Sequence, residues 1–180
     1  MGRRLAVALG GLLLAACGYR FAADGGPLPK GVGHVAVPTL KNLTAETYLS
    51  AWLTEELRRE LARGGHGEEQ GAEARLDGTI EQVGGGPLAL KSAAPFVNGQ
   101  PVAGAMLAPA NPGLYSAQVT VTVRLWRGAE LLAEVDHFQR QEPYLPSDDL
   151  ATMEANRRLA LRRLAATVAR ELVARLEAAP

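Results

Sequence analysis

Tyr115-Ser116-Ala117-Gln118-Val119-Thr120-Val121-Thr122-Val123-Arg124-Leu125-Trp126-Arg127 alternates apolar and polar side chains almost without a break. Neighbouring side chains of a strand point to opposite faces, so Ala117, Val119, Val121, Val123 and Leu125 share one face. Gln118, Thr120, Thr122, Arg124 and Trp126 share the other. The pattern reads as a strand with one face buried and one polar. The polar face suits either water or the interior of a polar-lined barrel.

Downstream, Gly128-Ala129-Glu130 has the length of a hairpin turn. A return strand follows over residues 131–141, with a less regular alternation. Pro143-Tyr144-Leu145-Pro146 breaks the chain, and Ser147, Asp148 or Asp149 can cap a helix whose acidic start complements its dipole. Leu150, Met153, Leu161, Leu164, Val168, Leu172 and Leu176 form its apolar stripe. About 28 residues would span roughly 40 Å, enough to cross a sheet. Arg157, Arg158, Arg162, Arg163, Arg170 and Arg175 crowd its other face, a solvated surface or one for an anionic partner.

Upstream, residues 34–40 (His34-Val35-Ala36-Val37-Pro38-Thr39-Leu40) read as a short strand, with Pro38 placing its end near a sheet edge. Thr44 is a candidate N-cap for a helix, with Leu43 and Tyr48 as its hydrophobic staple. Leu49, Leu53, Leu57 and Leu61 recur every four residues, widened by Tyr48 and Trp52, and Gly64-Gly65 stop the helix. Ala74, Leu76, Gly78 and Ile80 alternate with polar residues in a further strand that Gly84-Gly85-Gly86-Pro87 closes. Residues 84–114 lack periodicity and carry five prolines, and so read as a long loop, with an Asn98-Gly99 hairpin signal inside it. The expected fold is α+β: a two-layer sandwich in which two helices pack on one face of a four-stranded mixed sheet, ordered β-α-β-β-β-α. A right-handed βαβ crossover would make the sheet mixed.

The amino terminus has a different character. Arg3 and Arg4 precede twelve uncharged residues, Leu5 to Ala16, too short to span a bilayer and suited to a signal-peptide core. The segment ends in Leu14-Ala15-Ala16-Cys17, and Cys17 is the only cysteine in the chain. This resembles the lipobox of bacterial lipoproteins, in which the thiol receives a diacylglycerol and the preceding bond is cut. The alternative is a plain secretory signal with a buried thiol nearby. The resemblance implies a signal peptide over 1–16 and a lipidated Cys17. A Gly/Pro-rich tether would then cover 17–33, ahead of one domain over 34–178. Gly18 after the cysteine, in place of Asp, implies export to the outer membrane. Stable anchoring takes more than one acyl chain, so a multiply acylated Cys17 would hold the domain at a membrane.

The whole chain carries 19 basic and 19 acidic residues. No basic tract suggests a nucleic-acid partner. His34, His66 and His137 have no metal-ligand spacing, and no nucleophile elbow or phosphate loop is present. Asp136 and His137 adjoin, but neighbours in a regular strand face opposite ways. Asp148-Asp149 reads as a helix cap rather than a carboxylate pair. Nothing argues for an enzyme, a metal or a cofactor beyond the covalent lipid.

Several short motifs together resemble the LptE family of lipopolysaccharide-assembly lipoproteins. They are Cys17-Gly18-Tyr19-Arg20-Phe21, Val35-Ala36-Val37-Pro38, Asn42-Leu43-Thr44, Leu53-Thr54-Glu55-Glu56-Leu57 and Leu76-Asp77-Gly78-Thr79-Ile80. A Val-rich strand pair after Tyr115 and the helix from Glu154 through Leu176 continue the likeness. The resemblance implies two helices on a four-stranded sheet and a place inside the lumen of the outer-membrane β-barrel LptD. It also implies contact with lipopolysaccharide on its way to the outer leaflet. Family contacts to lipopolysaccharide are basic; Lys91, Arg124, Arg127 and Arg140 are candidates by charge and placement. The opening strand also resembles CsgG-like and TolB-amino-terminal-like envelope domains, which would make the protein a secretion or envelope scaffold.

Overall fold

A computed structural model describes residues 26–67, 70–91, 96–97, 100–101 and 111–179. The expected signal segment, Cys17 and the turn expected at Asn98-Gly99 lie outside them. In chain order the elements are β1 (Val35–Ala36), β2 (Lys41–Asn42), α1 (Leu49–Arg63), β3 (Ala74–Lys91), β4 (Phe96–Val97) and β5 (Gln100–Pro101). They continue with β6 (Asn111–Arg127), β7 (Glu130–Tyr144) and α2 (Leu150–Glu177).

β6 runs down the middle of the main sheet, antiparallel to β3 on one side and to β7 on the other. β1 and β2 both lie parallel to β3, Val35 opposite Ala74 and Lys41 opposite Thr79. They form one interrupted edge, so the sheet has four strand positions and is mixed, with α1 as the crossover. Ala117, Val119, Val121, Val123 and Leu125 of β6 are each at most 1% exposed. They pack in one core with Leu76 and Ile80 of β3, the four leucines of α1, and Leu161, Leu164, Val168, Leu172 and Leu176 of α2. Both helices therefore cover the same face, as the alternation of β6 requires.

The first strand is shorter than expected. Residues 37–40 leave the sheet, since Pro38 has no N–H to give to a ladder. Helix α1 satisfies the backbone groups freed there. The Val37 carbonyl accepts from Arg58 Nε (3.0 Å) and Nη2 (2.8 Å). The Leu40 N–H donates to Thr54 Oγ1 (3.1 Å), whose own proton goes to the Ser50 carbonyl (2.6 Å). Val37 and Leu40 remain buried in the core.

The helix also starts later than its sequence suggests. Thr44 does not cap it: the Thr44 hydroxyl donates to Asn42 Oδ1 and accepts from the Glu46 N–H, making a separate turn. The residue preceding α1 is Tyr48, and it offers no side-chain cap. Leu43 and Tyr48 are exposed rather than stapled together; Tyr48 instead stacks on Trp52 with ring centroids 6.0 Å apart. Asp149 does cap α2, accepting from the Thr152 N–H at 2.7 Å.

The largest departure is at 84–114. β3 does not end at Gly84-Gly85-Gly86-Pro87 but pairs with β6 through to Lys91 opposite Asn111, and beyond Tyr115, where β7 ends, the ladder continues as a short two-stranded ribbon. A side chain at Gly85 (φ +152°) would bring its Cβ within 1.9 Å of the Ser116 carbonyl oxygen, so glycine is what lets the ladder continue. Pro87 is accommodated because β2 leaves β3 at Ile80, making the rest an edge, and because the register shifts beside it. Within the former loop, β4 and β5 pair as the small hairpin expected around Asn98-Gly99. Nor are residues 26–33, the end of the expected tether, loose chain: Leu28, Pro29 and Val32 are buried.

Two stability predictions follow from the contacts of α1 and α2. Thr54→Ala strands a buried N–H and is expected to cost about 1–3 kcal/mol in urea unfolding, with Thr54→Ser retaining most of it. The Thr152 side chain and then its backbone N–H hold the Asp149 carboxyl below its ordinary value. Its capping contribution is therefore present above the ordinary carboxylate range and disappears as pH falls through the lowered value. Asp149→Ala should lower the thermal midpoint at pH 7 and converge with wild type in strong acid.

Candidate functional surface on the uncovered sheet face

The face of the sheet opposite the helices carries Arg75, Asp77, Thr79, Glu81 and Gln82 from β3. Gln118, Thr120, Thr122, Arg124 and Trp126 come from β6, and Glu134, Asp136, His137, Gln139 and Gln141 from β7. No described element covers it. Its charges pair within the sheet: Arg75 with Asp77 at 2.8 Å and Arg124 with Glu134 at 2.6 Å. Shallow hollows of about 360–370 Å³ lie towards its two ends. One is lined by Gln118, Gln139, Arg140 and Gln141, the other by Glu73, Arg75 and Trp126 among others.

At the centre the regular pleat is broken on both sides of Thr122. β3 has an extra residue at Glu81, between the pairs Ile80↔Val121 and Gln82↔Thr120. β7 has an extra residue between Val123↔Val135 and Val121↔Phe138, where His137 takes φ +46°. This overturns the expectation that Asp136 and His137 face opposite ways. A bulge places two residues against one, and here both turn to the same side. His137 Nδ1 lies 2.6 Å from Glu81 Oε2, and its Nε2 lies 3.5 Å from Asp136 Oδ2. The Thr122 hydroxyl, only 3% exposed as a residue, lies 2.7 Å from Glu81 Oε1 and 2.9 Å from Asp136 Oδ1. It also accepts the His137 N–H at 2.9 Å. Thr122, followed by His137, holds the Glu81 carboxyl below its usual range. Glu81, then Asp136, pushes the His137 imidazole up. Sequence reasoning missed Glu81 altogether; the one available signal was the imperfect alternation of 131–141.

The four basic candidates are not gathered. Arg124 is on the uncovered face, held by Glu134. Arg127 donates to the Lys30 carbonyl at 3.1 Å beside the Lys30–Glu130 pair, tying the hairpin end to the amino-terminal segment. Arg140 is bound to Glu171 of α2, Nε to Oε2 at 2.7 Å, and lies over the Phe138 ring that Arg175 also contacts. Lys91 is at the far end of the ribbon, sixteen β6 positions from the hairpin, or roughly 50 Å. The arginines of α2 are largely engaged as well: Arg157 with Glu46 at 2.6 Å, Arg163 with Glu142 at 2.8 Å, and Arg162 over Trp52. His66 pins the amino-terminal segment through contacts to the Gly33 and Gly26 carbonyls at 3.1 and 3.0 Å.

The LptE family model, described as lipopolysaccharide-assembly, matches residues 32–176. The chain belongs to the LptE family. Its two-helix, mixed-sheet architecture is the one that the family resemblance implied. Among solved structures it is similar to a protein from Xanthomonas campestris, with 13% identity, TM-score 0.50, and coverage of 87% of this chain and 92% of that one. It is also similar to the rare lipoprotein B of Shewanella oneidensis, with 14% identity, TM-score 0.48, and coverage of 79% and 94%. PelC of Paraburkholderia phytofirmans, described as a dodecamer, is similar at 13% identity, TM-score 0.47, and coverage of 86% and 94%. No curated protein sequence matches the chain. As a family member it is a lipopolysaccharide-assembly lipoprotein in general character. Among the described residues, no helix is long and apolar enough to cross a membrane.

The placement of the arginines makes a testable distinction. Arg140→Ala removes a link between β7 and α2, and should lower the thermal midpoint more than Arg124→Ala. Arg124 bridges exposed residues of one sheet face, where ion pairs are worth little.

Proposed function

We propose that this protein is a lipid-anchored outer-membrane lipoprotein that plugs and supports an LptD-type β-barrel and assists insertion of lipopolysaccharide into the outer leaflet. The observation that carries this reading is the family match over residues 32–176, and the fold is consistent with it. A sheet covered by helices on one face presents a broad, mixed-charge, glutamine- and threonine-rich surface on the other. Such a surface suits the polar interior of a barrel, where lumen-facing side chains are polar. In this reading Cys17 carries the acyl chains and the domain acts by binding rather than by chemistry, with no cofactor other than the lipid. The segment pinned by His66 sets where the domain departs from its anchor. Lys91 and Arg124 are the basic residues best placed to meet lipopolysaccharide from the ribbon and the open face. Arg124, Arg127 and Arg140 would each do so by exchanging a present partner.

The test is purification of the full chain from detergent-solubilised outer membrane. One β-barrel partner in one-to-one ratio is expected. A self-associated ring without a barrel, or no partner at all, overturns the reading. Cys17→Ala should abolish the lipid mass increment and release the protein from the membrane fraction; retention of both would remove the anchor from the proposal.

A further inference from the structure

We propose that the lipoprotein, before a barrel takes it up, stands on the membrane on its β6–β7 hairpin end, with Trp126 and Leu131 seated in a zwitterionic phospholipid surface. The inference rests on the lipid anchor at Cys17 in the reading above, and adds the orientation and the residues that meet the lipid.

The described chain begins at one end of the molecule. The Gly26 carbonyl lies 3.0 Å from His66 Nε2, just past the end of α1. A Cβ at Gly26 would lie 3.4 Å from the Glu177 Cβ, at the end of α2. A few residues on, Lys30 pairs with Glu130 of the hairpin, and its carbonyl accepts from Arg127. The point where the chain leaves for its anchor, the last turns of both helices and the β6–β7 turn therefore share one end. Tyr48 before α1 and Leu150 at the start of α2 lie at the other.

Reach decides which end meets the membrane. Apolar exposure alone would select the far end, where Leu150 is 80% exposed and Tyr48 63%, against 41% for Leu131. The nine residue steps from Cys17 to Gly26 span at most roughly 32 Å when fully extended. Standing on the far end would lift Gly26 by about the 40 Å length of α2, beyond that reach. The hairpin end lies within it.

That end also has interfacial chemistry. Leu131 is the cross-strand partner of Trp126, so the two side chains adjoin on the last rungs of the uncovered face. Indole favours the membrane–water boundary, its ring among apolar groups and its N–H in the polar layer. The charges around the pair are matched within the protein, Lys30 by Glu130 and Arg75 by Asp77. Matched charges suit a zwitterionic surface, whereas an anionic one attracts unpaired cations.

The two tryptophans of the chain make the orientation measurable. Trp52 stands about 16 Å up α1 from Arg63, away from the hairpin end. The test uses full-length acylated protein, its lipid confirmed by mass, in phosphatidylcholine vesicles without a barrel, with and without lipid spin-labelled near the headgroup. In Trp52→Phe the label should quench the remaining Trp126, equally at low and high salt. In Trp126→Phe it should leave Trp52 unquenched. Leu131→Asp, at an exposed position, should abolish the quenching of Trp126 while the acyl chains keep the protein on the vesicles, which separates seating from tethering. Circular dichroism matching the wild type shows that each variant is folded. Quenching of Trp52, quenching of neither tryptophan, or quenching unchanged by Leu131→Asp overturns the inference and leaves the anchor standing. A chain without acyl mass overturns both.

Discussion

Burial of one face of β6 is the constraint on which the rest of the molecule depends. Its five inward side chains are closed off from water by leucines from α1 and α2. Because the strand period is two, a slip of one residue would exchange those five for Gln118, Thr120, Thr122, Arg124 and Trp126. The register with β3 and β7 is thereby fixed, and with it the composition of the opposite face. The polar character of the uncovered face is a direct consequence of the core.

The parallel edge needs a different device. β1 and β2 contribute only two residues each to the ladder, too little to hold a strand unaided. Arg58 and Thr54 reach from α1 to the backbone of Val37 and Leu40, so the crossover helix replaces the missing ladder while Val37 and Leu40 enter the core. One helix therefore does two jobs, covering the sheet and completing its edge. On the uncovered side, the bulges at Glu81 and His137 lie on neighbouring rungs of β6, one from each flanking strand. They leave the buried face undisturbed, since Val121, Val123 and Ile80 remain fully packed. Their effect is confined to the polar face, where they gather four polar side chains that an unbroken pleat would have kept apart.

Membership of the LptE family accounts for the scaffold and for the general role in lipopolysaccharide assembly. It also gives meaning to the scatter of the basic residues. Arg127, Arg140 and Arg157 each join separate parts of the chain, and so stabilise the domain as ion pairs or carbonyl contacts. Arg124 alone among the candidate arginines stands on the open face.

What the sequence determined by itself was whatever depends on neighbours along the chain. The period-two run of residues 115–127, the four-residue spacing of Leu49 to Leu61, a cap among Ser147, Asp148 and Asp149, and the apolar stripe of α2 from Met153 onward each carry their own geometry, whereas Leu150 at the start of that stripe is exposed. Together they specify two helices over one face of a mixed sheet. Tertiary structure decided what depends on partners far along the chain. Pairing with β6 carried β3 through three glycines and Pro87, because a second strand supplied the hydrogen bonds that local propensity withheld. Contacts from α1 split the first strand, and the start of α1 followed the core rather than the capping preference of Thr44. The meeting of Glu81 with Asp136 and His137 was illegible for the same reason. It requires two bulges, 56 residues apart, to face the same threonine, and neither bulge leaves more in the sequence than an irregular alternation.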